Sequence, residues 1–344
     1  MTRIYLIRHA EAEGNLYRIV QGQGNSSLTD RGWRQVAALK KRFADIHIDA
    51  VYTSDLYRTC ATASAVYKPK GLTPHRRRDL REIYVGDWEG RTWGDIARRW
   101  PEQMAHFSHR PDLWHSEGAE TPLEVLERVR AAVNEIAADN ESRTVAVFSH
   151  GYAIRLLLAQ LQGYPYERMG ESPTGQNTAV SLLEYEEGVM RVVFRDDVSH
   201  LKTEEYLSGE KVRRVADPLE PGLWFQPPQG GEAQEIAAGC GLTLEAGLIT
   251  LVGWSRERAV GLVQLGPEPG RIAAACILPD FRGKGFGGQL IGQAVHWTRS
   301  IGGGELRAKV PGDCASFFRG YGFAPDGNGE LVKDIRFLPE FLGE

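Results

Sequence analysis

Cysteine is scarce in this chain. Its 344 residues include four, Cys60, Cys240, Cys276 and Cys314, and none forms a C-x-x-C pair. That scatter excludes a disulfide framework and a cysteine zinc site, and it fits a reducing compartment. Charge of one sign is missing too: 41 Lys+Arg against 45 Asp+Glu leave a net charge of -4. A chain so balanced has no overall pull toward nucleic acid or an acidic membrane. The one basic run, Arg76-Arg77-Arg78, reads as solvated surface. No apolar run is long enough to span a bilayer, and Arg8 interrupts the first one too early for a signal peptide. These absences predict a cytoplasmic protein with neither membrane nor nucleic-acid partners; they leave its oligomeric state open.

What is present is a folded composition, 42% hydrophobic and 25% charged, in a chain long enough for two domains. Strands alternate with helices over the first two hundred residues. "IYLI" suits a buried parallel strand, Ser27 or Thr29 can cap a helix carrying Val36, Leu39 and Phe43, and "IDAVYTSD" is a second short strand followed by the helix "LYRTCATASAVY". Thr121 caps a helix with the stripe Leu123, Leu126, Val129 and Val133; "TVAVFS" is another buried strand, and "AVSLLEYEEG" with "MRVVFRDD" has hairpin spacing. The pattern predicts an α/β sandwich around a mostly parallel sheet.

Two of these strands end oddly. "IYLI" runs directly into Arg8 and His9, and "TVAVFS" into His150. Ligands of parallel sheets bind outside the carboxyl ends of the strands, so two strand-end histidines are placed to face one another. Arg58 follows the second strand onto the same face, and Glu82 sits in "LREIYVGDWEG" before a Gly-containing turn. Guanidinium forks match phosphate oxygens, an imidazole can attack phosphorus, and a carboxylic acid can protonate a departing alkoxide. His106, His109 and His115 lack acidic or cysteine partners at ligand spacing, so no metal is expected.

The segments "RHAEAEGN", "QGQGNSSLTDRG", "VYTSDLYRTCATA", "LREIYVGDWEG", "VFSHG" and "DDVSHL" together resemble the histidine phosphatase superfamily, the phosphoglycerate mutase-like fold, and within it the broad-specificity phosphatases. The resemblance implies a three-layer αβα sandwich and a metal-independent phosphomonoester hydrolase with a phosphohistidine intermediate. His9 would be the nucleophile, Arg8 and Arg58 the phosphoryl clamp, His150 a further donor, and Glu82 the acid and later the base. Asn15 stands at the family's phosphate-contacting asparagine, and Gln21, Gly22 and Gly151 fall among its substrate-contacting positions. Two positions depart from the family: Ala10 replaces a glycine and Gly14 a tryptophan. The arginines should depress His9, and an acidic to neutral optimum is expected. Mutases of the family carry a longer insertion between the acid and the second histidine, so the compact stretch from Glu82 to His150 favours a phosphatase, with mutase-type activity as the alternative. "WPEQMAHFSHRPDLWHSEGAE" is expected to cap the site and select a small-molecule phosphate ester through Trp100, Phe107 and Trp114.

After "DDVSHL" the chain becomes charged and then rich in proline and glycine, with Pro218, Pro221, Pro227 and Pro228. That is linker composition. It predicts a first domain over 1–203 with its own core, a linker over 204–231 and a second domain over 232–344. In the second domain an antiparallel meander, Leu248–Trp254, Ala259–Leu265 and Arg271–Leu278, leads through "RGKGFG" into the helix Gly287–Arg299. Successive amides at a helix start form an anion cradle. With "CILP" and "ASFFRGYGF", this resembles the smaller α+β fold of the GNAT N-acetyltransferases. The resemblance implies acetyl-CoA, with pantetheine along Ile277 and pyrophosphate on the amides of Arg282, Gly283, Lys284, Gly285, Phe286 and Gly287. The acyl acceptor is not legible. The family's acid tyrosine falls on Phe318, with Tyr321 three residues on, so slow transfer, or binding of acetyl-CoA as a regulatory ligand, is expected.

Overall fold

In the computed structural model, which describes residues 1–208, 221–266, 268, 270–310 and 314–342, the alternation read from the sequence becomes a sheet covered on both faces. The elements of the first half are β1 (Thr2–Arg8), α1 (Glu13–Tyr17), α2 (Asp30–Arg42), β2 (Ala50–Ser54), α3 (Tyr57–Lys70), β3 (Pro74–Arg77), α4 (Trp93–Arg99), α5 (Pro101–His109), α6 (Pro122–Asp139), β4 (Thr144–Ser149), α7 (Gly151–Leu161), β5 (Val180–Glu186) and β6 (Val189–Asp197). They build one sheet of order β3-β2-β4-β1-β5-β6, parallel from β3 to β1 and closed by the antiparallel β5–β6 hairpin. Side chains alternate across it: Ile4, Leu6, Val145 and Val147 pack toward α6 and α7, while Ile7, Ala146 and Phe148 pack toward α2 and α3. A strand buried on both faces reads as a continuous apolar run, which is why "IYLI" and "TVAVF" were visible.

Caps fix the helix starts. Thr29, and not Ser27, caps α2 by accepting from the Gly32 N–H at 3.0 Å. Thr121 and Glu124 form a reciprocal capping box on α6, an arrangement in which the Thr oxygen contributes about 1 kcal/mol. One residue of the expected α6 stripe is corrected. Leu123 is exposed, and the buried face is Val125, Leu126, Val129, Val133 and Ile136, because Leu123 lies a further 60° around the helix from Leu126.

The second half contains α8 (Glu204–Ser208), β7 (Trp224–Gln226), α9 (Glu232–Gly239), β8 (Ile249–Ser255), β9 (Arg258–Leu265), β10 (Arg271–Ile277), α10 (Phe286–Ser300), β11 (Glu305–Ala308), α11 (Ala315–Arg319), β12 (Ala324–Pro325) and β13 (Leu331–Asp334). Among the described residues these strands form a sheet of order β12-β13-β11-β10-β9-β8-β7. The meander β8–β9–β10 is antiparallel as expected. Residues 209–220 of the expected linker, Pro218 included, lie outside the described residues. Beyond them the linker reading needs correcting: Trp224–Gln226 pairs with β8 as an edge strand.

The two halves also share apolar cores. Tyr17 of α1 is buried against Leu290, Ile291 and Leu223, and Phe341 is buried with Tyr57 and Val36. Linker composition reports only on local chain stiffness, so it gave no sign of this contact. Among the described residues no helix is long and apolar enough to cross a membrane.

Candidate active site

β1 and β4 are neighbours with Arg8 opposite Ser149, so the residues that follow them, His9 and His150, emerge side by side. Their ring centroids are 5.3 Å apart. β2 adds Ser54 at its carboxyl end, and α3 places Arg58 in its first turn. His9, Arg58 and His150 are all buried.

The imidazoles have defined protonation. His9 Nδ1 donates to the Ala10 carbonyl at 2.7 Å, which leaves Nε2 with the lone pair. Burial, then Arg58 and Arg8, hold His9 well below the ordinary histidine range, so the ring is neutral. His150 is depressed likewise, by burial first and Arg58 next. Its Nε2 is hydrogen-bonded to Ser54 Oγ at 2.9 Å, and Ser54 Oγ also accepts from the Leu56 N–H at 3.4 Å. Among the described residues His150 Nδ1 and Arg8 Nε are buried without a hydrogen-bond partner.

Arg58 donates to the carbonyls of Gly24 and Gly22 at 2.9 and 2.8 Å, and burial lowers its guanidinium to about 10. The same loop turns its amides the other way: Glu89 accepts from Gly22 and Gln23 N–H at 3.2 and 2.8 Å. The Gly22 amide is therefore engaged by Glu89. Gln21 folds its side chain over Gly14, where no Cβ stands in the way. Gly151 opens α7 beside Arg8, since a Cβ there would meet the guanidinium carbon at 3.0 Å. Glu82 accepts from Tyr152 and Ala153 N–H at 3.1 and 3.0 Å, which fixes its carboxylate at the start of α7 within electrostatic reach of Arg8 and Arg58. Asn15 is exposed, its Oδ1 accepting from Ala12 N–H at 3.0 Å.

Ser54, Glu89 and Asn177, whose Nδ2 donates to the His9 carbonyl at 3.0 Å, were not anticipated. Ser54 was open to inference, as the last residue of a strand whose carboxyl end faces the site. The selector reading of Trp100, Phe107 and Trp114 is corrected. These rings pack around the buried Trp88, Trp114 at 5.5 Å and Phe107 at 5.6 Å, because an aromatic cluster is the apolar core of that excursion. The segment itself is partly helical, as α5.

The three depressed histidines make stability pH-dependent. Burial, then Arg42, takes His200 from 6.5 to about 4. A histidine lowered in the folded state favours the unfolded chain once the unfolded ring protonates, so stability is full above about pH 6.5 and falls as the pH drops toward 4. His200 alone accounts for on the order of 3 kcal/mol across that window. Urea midpoints should fall from pH 7 to 4.5, with a shallower slope in His200→Gln; a flat profile would contradict these assignments.

In the second domain, among the described residues, β10 pairs with β11 at Arg271↔Arg307 and Ile272↔Ala308 and not beyond. Gly283 and Gly285 adopt positive φ at the turn into α10. Phe286 turns its ring into the core, and Gly287 lies against Phe317. Lys284 Nζ sits over the Phe281 ring at 4.7 Å. Arg282 Nε donates to the Ile277 carbonyl at 3.0 Å, so that carbonyl is already engaged. Phe318 is buried in the core, whereas the Tyr321 hydroxyl reaches the first turn of α10, 2.7 Å from where a Cβ on Gly288 would stand.

A parallel sheet that gathers two arginines, two histidines and a carboxylate at its strand ends defines the phosphoglycerate mutase-like fold. YhfR of Bacillus stearothermophilus superposes with a TM-score of 0.57 at 32% identity, over 58% of this chain and 100% of that one. Phosphoserine phosphatase 1 of Hydrogenobacter thermophilus is 29% identical over 163 residues, 47% of this chain and 77% of the relative. A Proteus mirabilis protein named "Probable phosphoglycerate mutase GpmB" is 33% identical over 168 residues, 48% of this chain and 77% of the relative. Residues 4–198 match the histidine phosphatase superfamily (branch 1), and the chain belongs to that superfamily. Residues 244–339 match the acetyltransferase (GNAT) domain, so the chain carries a GNAT domain C-terminal to its phosphatase domain.

Proposed function

We propose that the N-terminal domain hydrolyses small-molecule phosphate monoesters in the cytoplasm, without a metal, through a phosphohistidine on His9. The observation that carries this reading is the tautomer of His9, neutral, with Nδ1–H held by Ala10 and the lone pair on Nε2. Nε2 attacks phosphorus and the ester P–O bond breaks. The departing alkoxide takes a proton from the Glu82 carboxyl. Water then attacks the phosphohistidine, Glu82 accepts its proton, the P–N bond breaks and inorganic phosphate leaves. Arg8, Arg58 and His150 hold the equatorial oxygens throughout, so catalysis rests on positioning and charge neutralisation. A screen of phosphoserine, sugar phosphates, nucleotides and phosphoglycerates, run with EDTA, should find turnover that the chelator leaves unchanged. No turnover on any ester, or a large loss with EDTA, would refute it; phosphoryl exchange between phosphoglycerates would favour a mutase.

For the GNAT domain we infer acetyl-CoA binding. The edge of β10 beyond Ile272, unpaired with β11 among the described residues, and the amides at the start of α10 suit a pantetheine arm and a pyrophosphate. When bound, acetyl-CoA supplies the thioester that an acyl acceptor would attack. Phe318 has no proton to give, so Tyr321 is the hydroxyl placed to protonate a thiolate. Calorimetry should detect acetyl-CoA at submillimolar concentration, and an amine panel should show slow transfer, reduced further by Tyr321→Phe. No binding at millimolar ligand would remove the cofactor reading; brisk transfer by Tyr321→Phe would remove the proton role.

A further inference from the structure

Glu13 is an unusual residue to bury beside a phosphate site. It is 5% exposed, two residues before Asn15 and four after His9, in the helix α1 that follows the His9 strand end. Its carboxylate accepts from the Ser27 N–H at 3.3 Å and takes both Nη groups of Arg299, at 2.5 and 3.2 Å. Arg299 belongs to the last turn of α10 in the GNAT domain. It is itself fixed, donating from Nε to the Ile335 carbonyl at 2.8 Å and standing 4.7 Å from the Phe337 ring centroid.

The same cluster backs the other side of the phosphate site. Phe337 packs on Tyr57 with ring centroids 5.0 Å apart, and Tyr57 directly precedes Arg58. Tyr17 closes α1 against α10 at Gly292, where a Cβ would come within 2.5 Å of the tyrosine Cβ. The backbone segments that carry Asn15 and Arg58 are thus both braced by side chains from the GNAT domain. A buried carboxylate that loses its guanidinium partner must move or take up water, and α1 would move with it.

We propose that Arg299 is a positioning residue of the phosphatase site, acting through Glu13, so that the GNAT domain completes the site of its neighbour. This rests on the phosphatase reading above. A bidentate clamp explains why arginine, rather than lysine, holds the place.

The test uses the full chain and four variants: Arg299→Met, Arg299→Lys, Glu13→Gln, and Glu13→Gln with Arg299→Met. Two readouts are taken, kcat and KM for p-nitrophenyl phosphate and the Kd of inorganic phosphate by calorimetry. Arg299→Met should lower kcat/KM by roughly tenfold to a hundredfold, the scale of a misplaced contact, and raise the phosphate Kd. Arg299→Lys should recover part of both. The double variant should cost no more than Arg299→Met alone, because both changes break one interaction. Arg299→Met within twofold of the parent on both readouts would overturn the proposal, as would single effects that simply multiply in the double variant. If Arg299→Met is insoluble, Arg299→Lys and Glu13→Gln decide by the same readouts, each losing affinity or leaving it unchanged. A parent that binds phosphate without hydrolysing esters would refute the phosphatase reading, and the phosphate Kd series would still decide the role of Arg299.

Discussion

His9→Ala is expected to lower kcat/KM for every phosphate ester by at least about four orders of magnitude, the scale seen when a nucleophile is removed from an otherwise intact site. The reason is geometric. Arg8, Arg58 and His150 can still bind the phosphoryl group, but the nitrogen that bonds phosphorus is gone, and His150 Nε2 is engaged with Ser54. Inorganic phosphate should therefore still bind His9→Ala. Because burial and the two arginines keep His9 neutral, the acid limb of the kcat/KM profile should not report this ring. Turnover above about one percent of the parent would exclude His9 as the nucleophile.

Glu82→Gln should show a loss that depends on the leaving group. Alkyl phosphates release a strongly basic alkoxide and need the proton, so kcat/KM should fall by about a hundredfold to ten-thousandfold. For p-nitrophenyl phosphate, whose leaving group departs unprotonated, the loss in kcat/KM should stay under about tenfold, because this ratio reports phosphorylation of His9 and not the later attack of water. Glutamine can retain one oxygen for the Tyr152 and Ala153 amides, so the start of α7 should keep its place. Paired measurements on an alkyl and an aryl ester separate the cases; equal losses on both would mean that Glu82 serves the site by position and not by its proton.

Much of this site was legible because its residues interrupt a pattern. Arg8, His9 and His150 end apolar strands, and a core strand gives no reason for them except a face where ligands bind. Arg58 and Glu82 follow from the same edge, and the structure brings all five together. Glu89 and Asn177 were not legible, since their partners lie on other loops and local sequence carries no trace of a hydrogen bond between loops. The aromatic excursion was misread for a related reason: Trp100, Phe107 and Trp114 look like binding residues until Trp88 is placed at their centre. The interface escaped altogether. Glu13 and Arg299 are 286 positions apart, and neither the charge of Glu13 nor the helical place of Arg299 marks it as buried.

The central claim is that phosphorus is transferred twice, first to His9 and then to water. Each in-line displacement inverts phosphorus, so hydrolysis of a thiophosphate monoester made chiral at phosphorus with two oxygen isotopes, run in water of the third, tests it directly. Two displacements through phosphohistidine predict net retention at phosphorus; net inversion would mean that water attacks the ester in one step and that His9 is never phosphorylated.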